Sequence, residues 1–190
     1  MNVNSLGIGN VIKFKGQYWV VAKKEHVKPG KGGAFVQLEI KNLLTGSKSN
    51  ERFRAGEEVE KIVLEEREFQ YQYSDSDSIF LMNLLSYEQE PFPKGLMGER
   101  IAYLVEGMNV KVCYCDDRVV EIKLPETVVL RIEETEPTVR GQTAAASYKP
   151  AILENGVRIT VPQFITAGER VVVRTEDSSY VERAKQIAPR

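Results

Sequence analysis

The sequence is poor in the residues on which most enzyme sites depend. Among its 190 residues there is one histidine, His26, and there are two cysteines. Acid–base and nucleophilic catalysis most often uses a histidine, and the chain has neither a nucleophile elbow nor a Gly-x-Gly-x-x-Gly turn. Its many carboxylates crowd turns and the exposed faces of strands, as solvated groups do. We therefore expect a protein that is not an enzyme and that uses no metal and no cofactor.

The sequence also lacks long apolar segments. No run approaches the roughly 18 residues that a membrane span requires. The start, Met1 to Ser5, has no basic region followed by an apolar core, so it does not resemble a secretory signal. We expect a cytoplasmic protein with no membrane partner.

The two cysteines, Cys113 and Cys115, lie two residues apart in a strand-like run. Their side chains should share one face, where a disulfide between them would strain the backbone. A zinc site would need further ligands, and His26 is far away in sequence. We interpret both cysteines as ordinary strand residues.

Charge is distributed unevenly, although the net charge is only −1. Residues 1–56 carry 10 Lys and Arg against 3 Glu, a net charge of +7, whereas residues 57–127 carry 7 Lys and Arg against 16 Asp and Glu, a net charge of −9. Surface charges further apart than about 8 Å are mostly screened at physiological salt, so a partner senses each region separately. The first region is suited to phosphates, and the second should face protein or solvent. Chance clustering of solvated charges is the alternative.

Hydrophobic alternation predicts an almost all-strand chain. Strand-like runs flank Lys15-Gly16, and Phe35 to Lys41 alternates apolar and polar side chains as a half-buried strand does. The segment from Pro93 to Val105 is the best helix candidate. An acidic run from Gly56 to Glu60 indicates a boundary between two structural units. We predict an all-β fold of three small β-barrels in series, with units 1–61, 62–127 and 128–190.

The most informative segment is glycine-rich and carries a lysine at its centre. It reads Lys28-Pro29-Gly30-Lys31-Gly32-Gly33. Its glycines can adopt backbone angles that other residues resist, and proline stiffens the turn. We expect a hairpin that projects Lys31 at its tip toward a partner; a solvated surface lysine is the simpler alternative. A phosphate-binding loop is excluded, because glycine follows the lysine and the next segment reads as a strand.

Several runs together resemble one family. They are His26 to Phe35, Lys41 to Gly46, Glu51 to Arg54, Ser147 to Ala151, Val161 to Phe164 and Gly168 to Thr175. With them the whole chain resembles bacterial translation elongation factor P, of the superfamily that includes eukaryotic initiation factor five-A. The middle third matches mainly in position and acidity.

The resemblance implies a fold and a function. The family consists of a KOW/SH3-like N-terminal barrel and two OB-fold barrels in an L shape that mimics a transfer RNA. It binds both subunits of the ribosome between the peptidyl and exit sites and stimulates peptide-bond formation at consecutive prolines. We also expect a monomer without catalytic turnover of its own, because three small barrels in a row leave no obvious large apolar face for self-association and the sequence shows no acid–base pair.

The resemblance also implies roles for particular residues. The hairpin lysine, here Lys31, is extended by a lysine-modifying enzyme in many members and reaches the acceptor end of the peptidyl-site tRNA. The expected tRNA-contacting residues are Lys28, Pro29, Gly30, Lys31, Gly32 and Gly33. Candidate RNA contacts elsewhere are Lys41, Arg54, Gly141, Gln142, Thr143, Tyr180 and Arg183. In many relatives Gly-Asp-Thr or Gly-Asn-Thr, implicated in contact with exit-site mRNA, stands where this chain has Gly141-Gln142-Thr143, and glutamine lacks the charge of aspartate.

The competing interpretation is a general OB-fold RNA-binding or interaction module. Such modules stack bases on aromatic side chains that lie among basic residues. Phe69, Tyr71 and Tyr73 alternate on one strand, but acidic residues surround them. This pattern favours a strand that faces a core or another protein.

Overall fold

The computed structural model describes residues 1–138 and 148–185, and this part of the chain consists of β-strands with three short 3₁₀-helices. The strands are β1 (Val11–Phe14), β2 (Gln17–Val27), β3 (Phe35–Asn42), β4 (Lys48–Arg54), β5 (Glu60–Ile62), β6 (Glu65–Ser74), β7 (Ser78–Asn83), β8 (Gln89–Pro93), β9 (Asn109–Cys115), β10 (Arg118–Lys123), β11 (Thr127–Thr135), β12 (Tyr148–Leu153), β13 (Arg158–Pro162), β14 (Arg170–Arg174) and β15 (Tyr180–Arg183). The 3₁₀-helices span Val3–Ser5, Lys94–Leu96 and Gly98–Tyr103. The all-β prediction is confirmed. None of the described helices has the length and apolar character that crossing a membrane requires.

The strands form three curled sheets of five strands each. Their orders are β4-β3-β2-β1-β5, β10-β9-β6-β7-β8 and β13-β12-β11-β14-β15. By contact density the chain divides into two compact units, one of residues 1–66 and 112–121, the other of residues 67–111 and 122–190. The boundaries at residues 61 and 127 stay a prediction.

The core of the first unit lies against the first sheet. Val36, Leu38 and Ile40 of β3 are fully buried, while the residues between them are partly exposed. This alternation confirms the half-buried strand expected over this run. Trp19 of β2 packs against the same core, and its indole N–H donates to the carbonyl of Phe14 at 3.1 Å. The chain's single tryptophan therefore reports on the packing of the first sheet.

The core of the second unit is centred on the third sheet. Leu130 and Ile132 of β11 pack with Val171 and Val173 of β14. Tyr103, at the end of a 3₁₀-helix, is buried in the same cluster, and its hydroxyl donates to the Ser178 hydroxyl at 2.6 Å.

The helix predicted over Pro93 to Val105 is wrong. β8 continues through Pro93, and two 3₁₀-helices of three and six residues follow it. Gly98, at the start of the second, has a φ of +56°, in the left-handed region. A right-handed α-helix cannot continue through a residue with this φ, so the segment forms two short 3₁₀-helices instead.

Strand β6 departs from simple alternation. Phe69 is fully buried and makes an edge-to-face contact with Phe92, the two ring centres lying 5.4 Å apart. A register shift between Tyr71 and Tyr73 then interrupts the ladder. Beyond it, Tyr73 stacks on Phe80 at 4.5 Å. The three aromatics therefore do not form one continuous stacking platform.

Candidate functional site

The candidate site is the loop between β2 and β3. These strands pair from Trp19↔Asn42 to Val27↔Phe35, so an extended hairpin carries the loop. All seven residues from Lys28 to Ala34 are exposed. The sequence prediction of a projecting hairpin agrees with this geometry.

The base of the hairpin is fixed by contacts with β4. Phe35 pairs with Arg54, and the backbone N–H of Ala55 donates to the carbonyl of Ala34 at 3.0 Å. The Arg52 guanidinium lies 4.0 Å from the ring centre of Phe35, in cation–π geometry. The loop therefore extends from an end of the sheet that contacts with β4 hold in place.

Only one of the three hairpin glycines uses a backbone conformation that other residues avoid. Gly32 has a φ of +120°, whereas Gly30 and Gly33 lie outside the positive-φ region. A Cβ atom at Gly32 would lie 3.8 Å from Cγ of Pro29, an ordinary contact. The requirement for glycine at this position is therefore one of backbone strain and not of space.

Lys31 is an exposed cation without a partner in the described part of the chain. Other lysines of the first sheet form ion pairs: Lys15 with Glu51 at 3.6 Å, Lys23 with Glu25 at 2.7 Å and Lys48 with Glu39 at 3.5 Å. Lys28 is likewise exposed and without an ion pair in residues 1–138 and 148–185. The loop thus presents two cations whose charge no carboxylate of the described residues neutralises.

The structure brings only some of the predicted RNA-contacting residues together. Arg54 lies beside the hairpin base, whereas Lys41 is six residues along β3 from Phe35, about 20 Å away at the usual rise per residue. Tyr180 is half-buried in the third sheet, and this burial raises the pKa of its hydroxyl. Gly141, Gln142 and Thr143 lie outside the described residues.

Arg183 is already engaged within the third sheet. Its guanidinium lies 4.6 Å from the ring centre of Phe164 and donates to the carbonyl of that residue at 3.1 Å. It also pairs with Glu169 at 3.2 Å. As a nucleic-acid contact Arg183 would act together with the half-exposed Phe164 ring, which sequence reasoning did not single out.

Sequence reasoning also missed a contact within the first unit. The Tyr18 hydroxyl donates to the carboxylate of Asp116, and this hydrogen bond raises the pKa of Tyr18 to about 12. Asp116 and Asp117 form the turn between β9 and β10, with φ of +48° and +60°. Tyr18 and Asp116 are 98 positions apart in the sequence, so no local sequence pattern predicts their contact.

Beside this contact lies a cavity of about 340 Å³. Leu43, Cys115 and Val120 are among the residues that line it. Cys113 and Cys115 are buried thiols of one apolar cluster, as expected for strand residues that share a face. Burial raises the pKa of the Cys115 thiol, which makes it a poor nucleophile at neutral pH.

No group of three or more His, Cys, Asp or Glu side chains converges on a metal-like site in residues 1–138 and 148–185. The arrangement at the hairpin can supply a positioned positive charge. Within the described residues, no second titratable side chain pairs with Lys31 there, so the arrangement offers no acid–base pair.

Comparison with protein families accounts for the three sheets in order. Residues 2–59 match the elongation factor P (EF-P) KOW-like domain, residues 64–122 the EF-P OB domain, and residues 128–183 the elongation factor P C-terminal domain. These matches confirm the KOW-like domain and the OB domain that follows it, as the family resemblance implied.

Comparison with individual proteins agrees. The chain is 50% identical over 184 residues to elongation factor P of Parvibaculum lavamentivorans, covering 97% of this chain and 98% of that protein. It is 46% identical over 186 residues to elongation factor P of Rickettsia rickettsii (strain Sheila Smith), covering 97% and 99%. The solved structure of eukaryotic translation initiation factor 5A from Methanococcus jannaschii has the same fold, with a TM-score of 0.51 and 24% identity over 66% of this chain and 90% of that one. The chain therefore belongs to the elongation factor P family of translation elongation factors.

Proposed function

We propose that this chain binds the ribosome between the peptidyl and exit sites and stimulates peptide-bond formation at consecutive prolines. In this proposal the hairpin from Lys28 to Gly33 reaches the acceptor end of the peptidyl-site tRNA, and Lys31 holds that end in reactive geometry. The observation that carries the proposal is the exposed Lys31 ammonium, which has no partner in the described part of the chain and sits on a braced hairpin.

The physical role of the factor is orientation. Proline is a poor nucleophile in this reaction, and its ring restricts the nascent chain. A charge delivered on a stiff hairpin can hold the reacting ends together, and orientation of this kind can contribute several kcal/mol without any proton transfer by the factor. The ribosome remains the catalyst, and the factor is not an enzyme.

We further propose that a lysine-modifying enzyme extends Lys31. The seven exposed loop residues leave the ammonium group open to such an enzyme. The intact mass of the protein purified from its native source tests this. An adduct that maps to Lys31 supports the proposal, and an unmodified mass contradicts it.

The remaining features of the proposal concern partners and location. The basic region 1–56 would contact ribosomal RNA and tRNA, and Arg54 beside the hairpin is the best-placed contact. Exit-site mRNA is the proposed partner of Gly141, Gln142 and Thr143. We propose a cytoplasmic monomer.

The test is a reconstituted translation assay that compares a Pro-Pro-Pro template with an Ala-Ala-Ala template. The properly modified protein should accelerate only the first. Lys31→Ala should abolish this effect, whereas Lys61→Ala should retain it. Lys61 is an exposed lysine of β5, the edge strand opposite β4 in the same sheet, and it has no ion pair within residues 1–138 and 148–185. Equal stimulation of both templates, or of neither, would instead favour a general RNA-binding module.

A further inference from the structure

The first and second sheets contain the same loop, built by the same hydrogen bonds. It follows β3 as Asn42-Leu43-Leu44-Thr45-Gly46 and β7 as Asn83-Leu84-Leu85-Ser86-Tyr87. In each loop the asparagine side-chain oxygen accepts from the backbone N–H groups two and three residues later, at 2.9 and 3.0 Å in the first and 2.8 and 3.2 Å in the second. The two sheets therefore share a turn with the same side-chain hydrogen bonds.

The remaining bonds of the turn also correspond. The N–H of Gly46 donates to the carbonyl of Asn42 at 2.9 Å, and that of Tyr87 donates to the carbonyl of Asn83 at 2.8 Å. The hydroxyl at the fourth position accepts from the N–H two residues later at 3.3 Å in both loops. Position 87 is thus the structural equivalent of Gly46.

The two loops differ at this equivalent position. Gly46 has a φ of +73°, which suits glycine, and Tyr87 has a φ of +59° in the same turn. A bulky side chain in the left-handed region is uncommon and costs stability. Glycine would remove that cost, so some other requirement accounts for the tyrosine.

No hydrogen bond, ion pair or ring contact within the described residues offsets the cost of the Tyr87 side chain. The residue is 74% exposed, and its hydroxyl and ring have no partner in residues 1–138 and 148–185. Leu85, two residues earlier, is 89% exposed. The first loop is different, because Leu43 packs in an apolar cluster and Leu44, although 59% exposed, lines the cavity beside Asp116. In the second loop Leu84 is partly buried, and the side chains of Leu85 and Tyr87 face solvent.

Charge indicates which kind of partner could cover this loop. The 26 residues from Glu68 to Pro93 contain no Lys or Arg and carry five acidic residues, Glu68, Asp75, Asp77, Glu88 and Glu90. Glu88 follows Tyr87 directly and is exposed, without an ion pair in the described part of the chain. RNA phosphates would be repelled by this surface, whereas lysine and arginine side chains of a protein would be attracted.

We propose that Leu85 and Tyr87 form an apolar knob that docks into a socket on a basic protein surface of the ribosome. The inference rests on the ribosome binding proposed above and names the protein side of that contact. The aromatic ring fills the socket, as aromatic anchors commonly do at interfaces, and Glu88 and Glu90 meet the basic rim. The hairpin bearing Lys31 and this knob then address different components, tRNA and protein.

The test uses the full chain and purified ribosomes. Tyr87→Gly should melt no lower than the wild type, because the relief of backbone strain offsets the added entropy of the unfolded chain. It should bind ribosomes about tenfold more weakly, because it removes an anchor. Tyr87→Phe keeps the ring and should bind as the wild type does. Glu88→Lys should weaken binding and reverse the response to salt at this contact. Unchanged binding by Tyr87→Gly would overturn the inference.

A photo-crosslinking residue, p-benzoylphenylalanine, placed at position 87 identifies the partner. A crosslink to a ribosomal protein supports the inference. A crosslink to ribosomal RNA alone, or no crosslink when the same probe at position 31 reacts, overturns it. Failure of the wild-type protein to bind ribosomes would overturn the proposed function and this inference together. Wild-type binding with normal Tyr87→Gly binding would overturn this inference alone.

Discussion

A pair of glycine substitutions in the hairpin separates backbone geometry from simple flexibility. Gly32 has a φ of +120°, and Gly30 lies outside the positive-φ region with nothing within 4 Å of an added Cβ. Gly32→Ala should therefore strain the loop, whereas Gly30→Ala should fit it. If glycine served only to keep the loop mobile, the two substitutions would have similar effects.

The magnitudes follow from the backbone. A residue with a Cβ in such a sparsely populated region costs about 1–3 kcal/mol. The lower entropy of the unfolded chain returns about 0.4–1 kcal/mol of this cost. Gly32→Ala should therefore destabilise the first sheet by up to about 2 kcal/mol, since the exposed loop can relax. Gly30→Ala should be neutral or stabilise by less than about 1 kcal/mol.

Two measurements test the pair. Urea unfolding followed by Trp19 fluorescence reports on the first sheet, because Trp19 is the chain's single tryptophan and packs in that core. Acceleration on the Pro-Pro-Pro template reports on the position of Lys31. We expect Gly32→Ala to lose most of this acceleration and Gly30→Ala to keep it. Full activity and wild-type stability in Gly32→Ala would refute the reasoning.

Three further predictions concern the first unit and its binding. The pKa of Tyr18 is raised to about 12 from 10.0, so its hydrogen bond to Asp116 stabilises the fold below about pH 10, and this stabilisation is lost as the pH rises toward 12. In urea titrations between pH 8 and 11.5, Tyr18→Phe should lack this part of the alkaline destabilisation. Identical pH profiles for the variant and the wild type would contradict the assignment. Asn42→Ala should cost about 1–3 kcal/mol in the same urea assay, because two loop N–H groups lose a buried acceptor. Arg54→Glu should weaken ribosome binding and reduce the dependence of log affinity on log salt by at least about one unit, whereas Lys61→Glu should change neither as much.

The strands and the hairpin could be predicted because their determinants are local. The alternation of Val36, Leu38 and Ile40 is visible in eight residues of sequence, and the structure buries these three side chains. The hairpin follows from the glycine run between two strands. The sequence could not show which of Gly30, Gly32 and Gly33 requires a φ angle that only glycine adopts readily. Those angles depend on how Val27 and Phe35 pair at the end of the strand ladder.

The errors and omissions arise where local preference competes with distant packing. The apolar spacing from Pro93 to Val105 suits an α-helix, but Gly98 takes a left-handed backbone and Met97 and Tyr103 are buried from short turns. The partners Tyr18 and Asp116 are separated by 98 positions. Alternation and turn residues carry no information about such a pair, because each of its members is an ordinary polar residue in its own segment.

The repeated turn shows why a structure adds information to a motif that is already visible. Asn-Leu-Leu occurs at residues 42–44 and again at residues 83–85, and the residue two places later is Gly46 in one copy and Tyr87 in the other. Read as letters, the tyrosine is an unremarkable surface aromatic. Once both residues are known to have positive φ within the same set of hydrogen bonds, the tyrosine becomes the costlier choice at its position. No hydrogen bond, ion pair or ring contact in the described part of the chain offsets this cost, which is why we propose that a partner supplies the compensating interaction, and the acidity of residues 68–93 favours a basic protein as that partner.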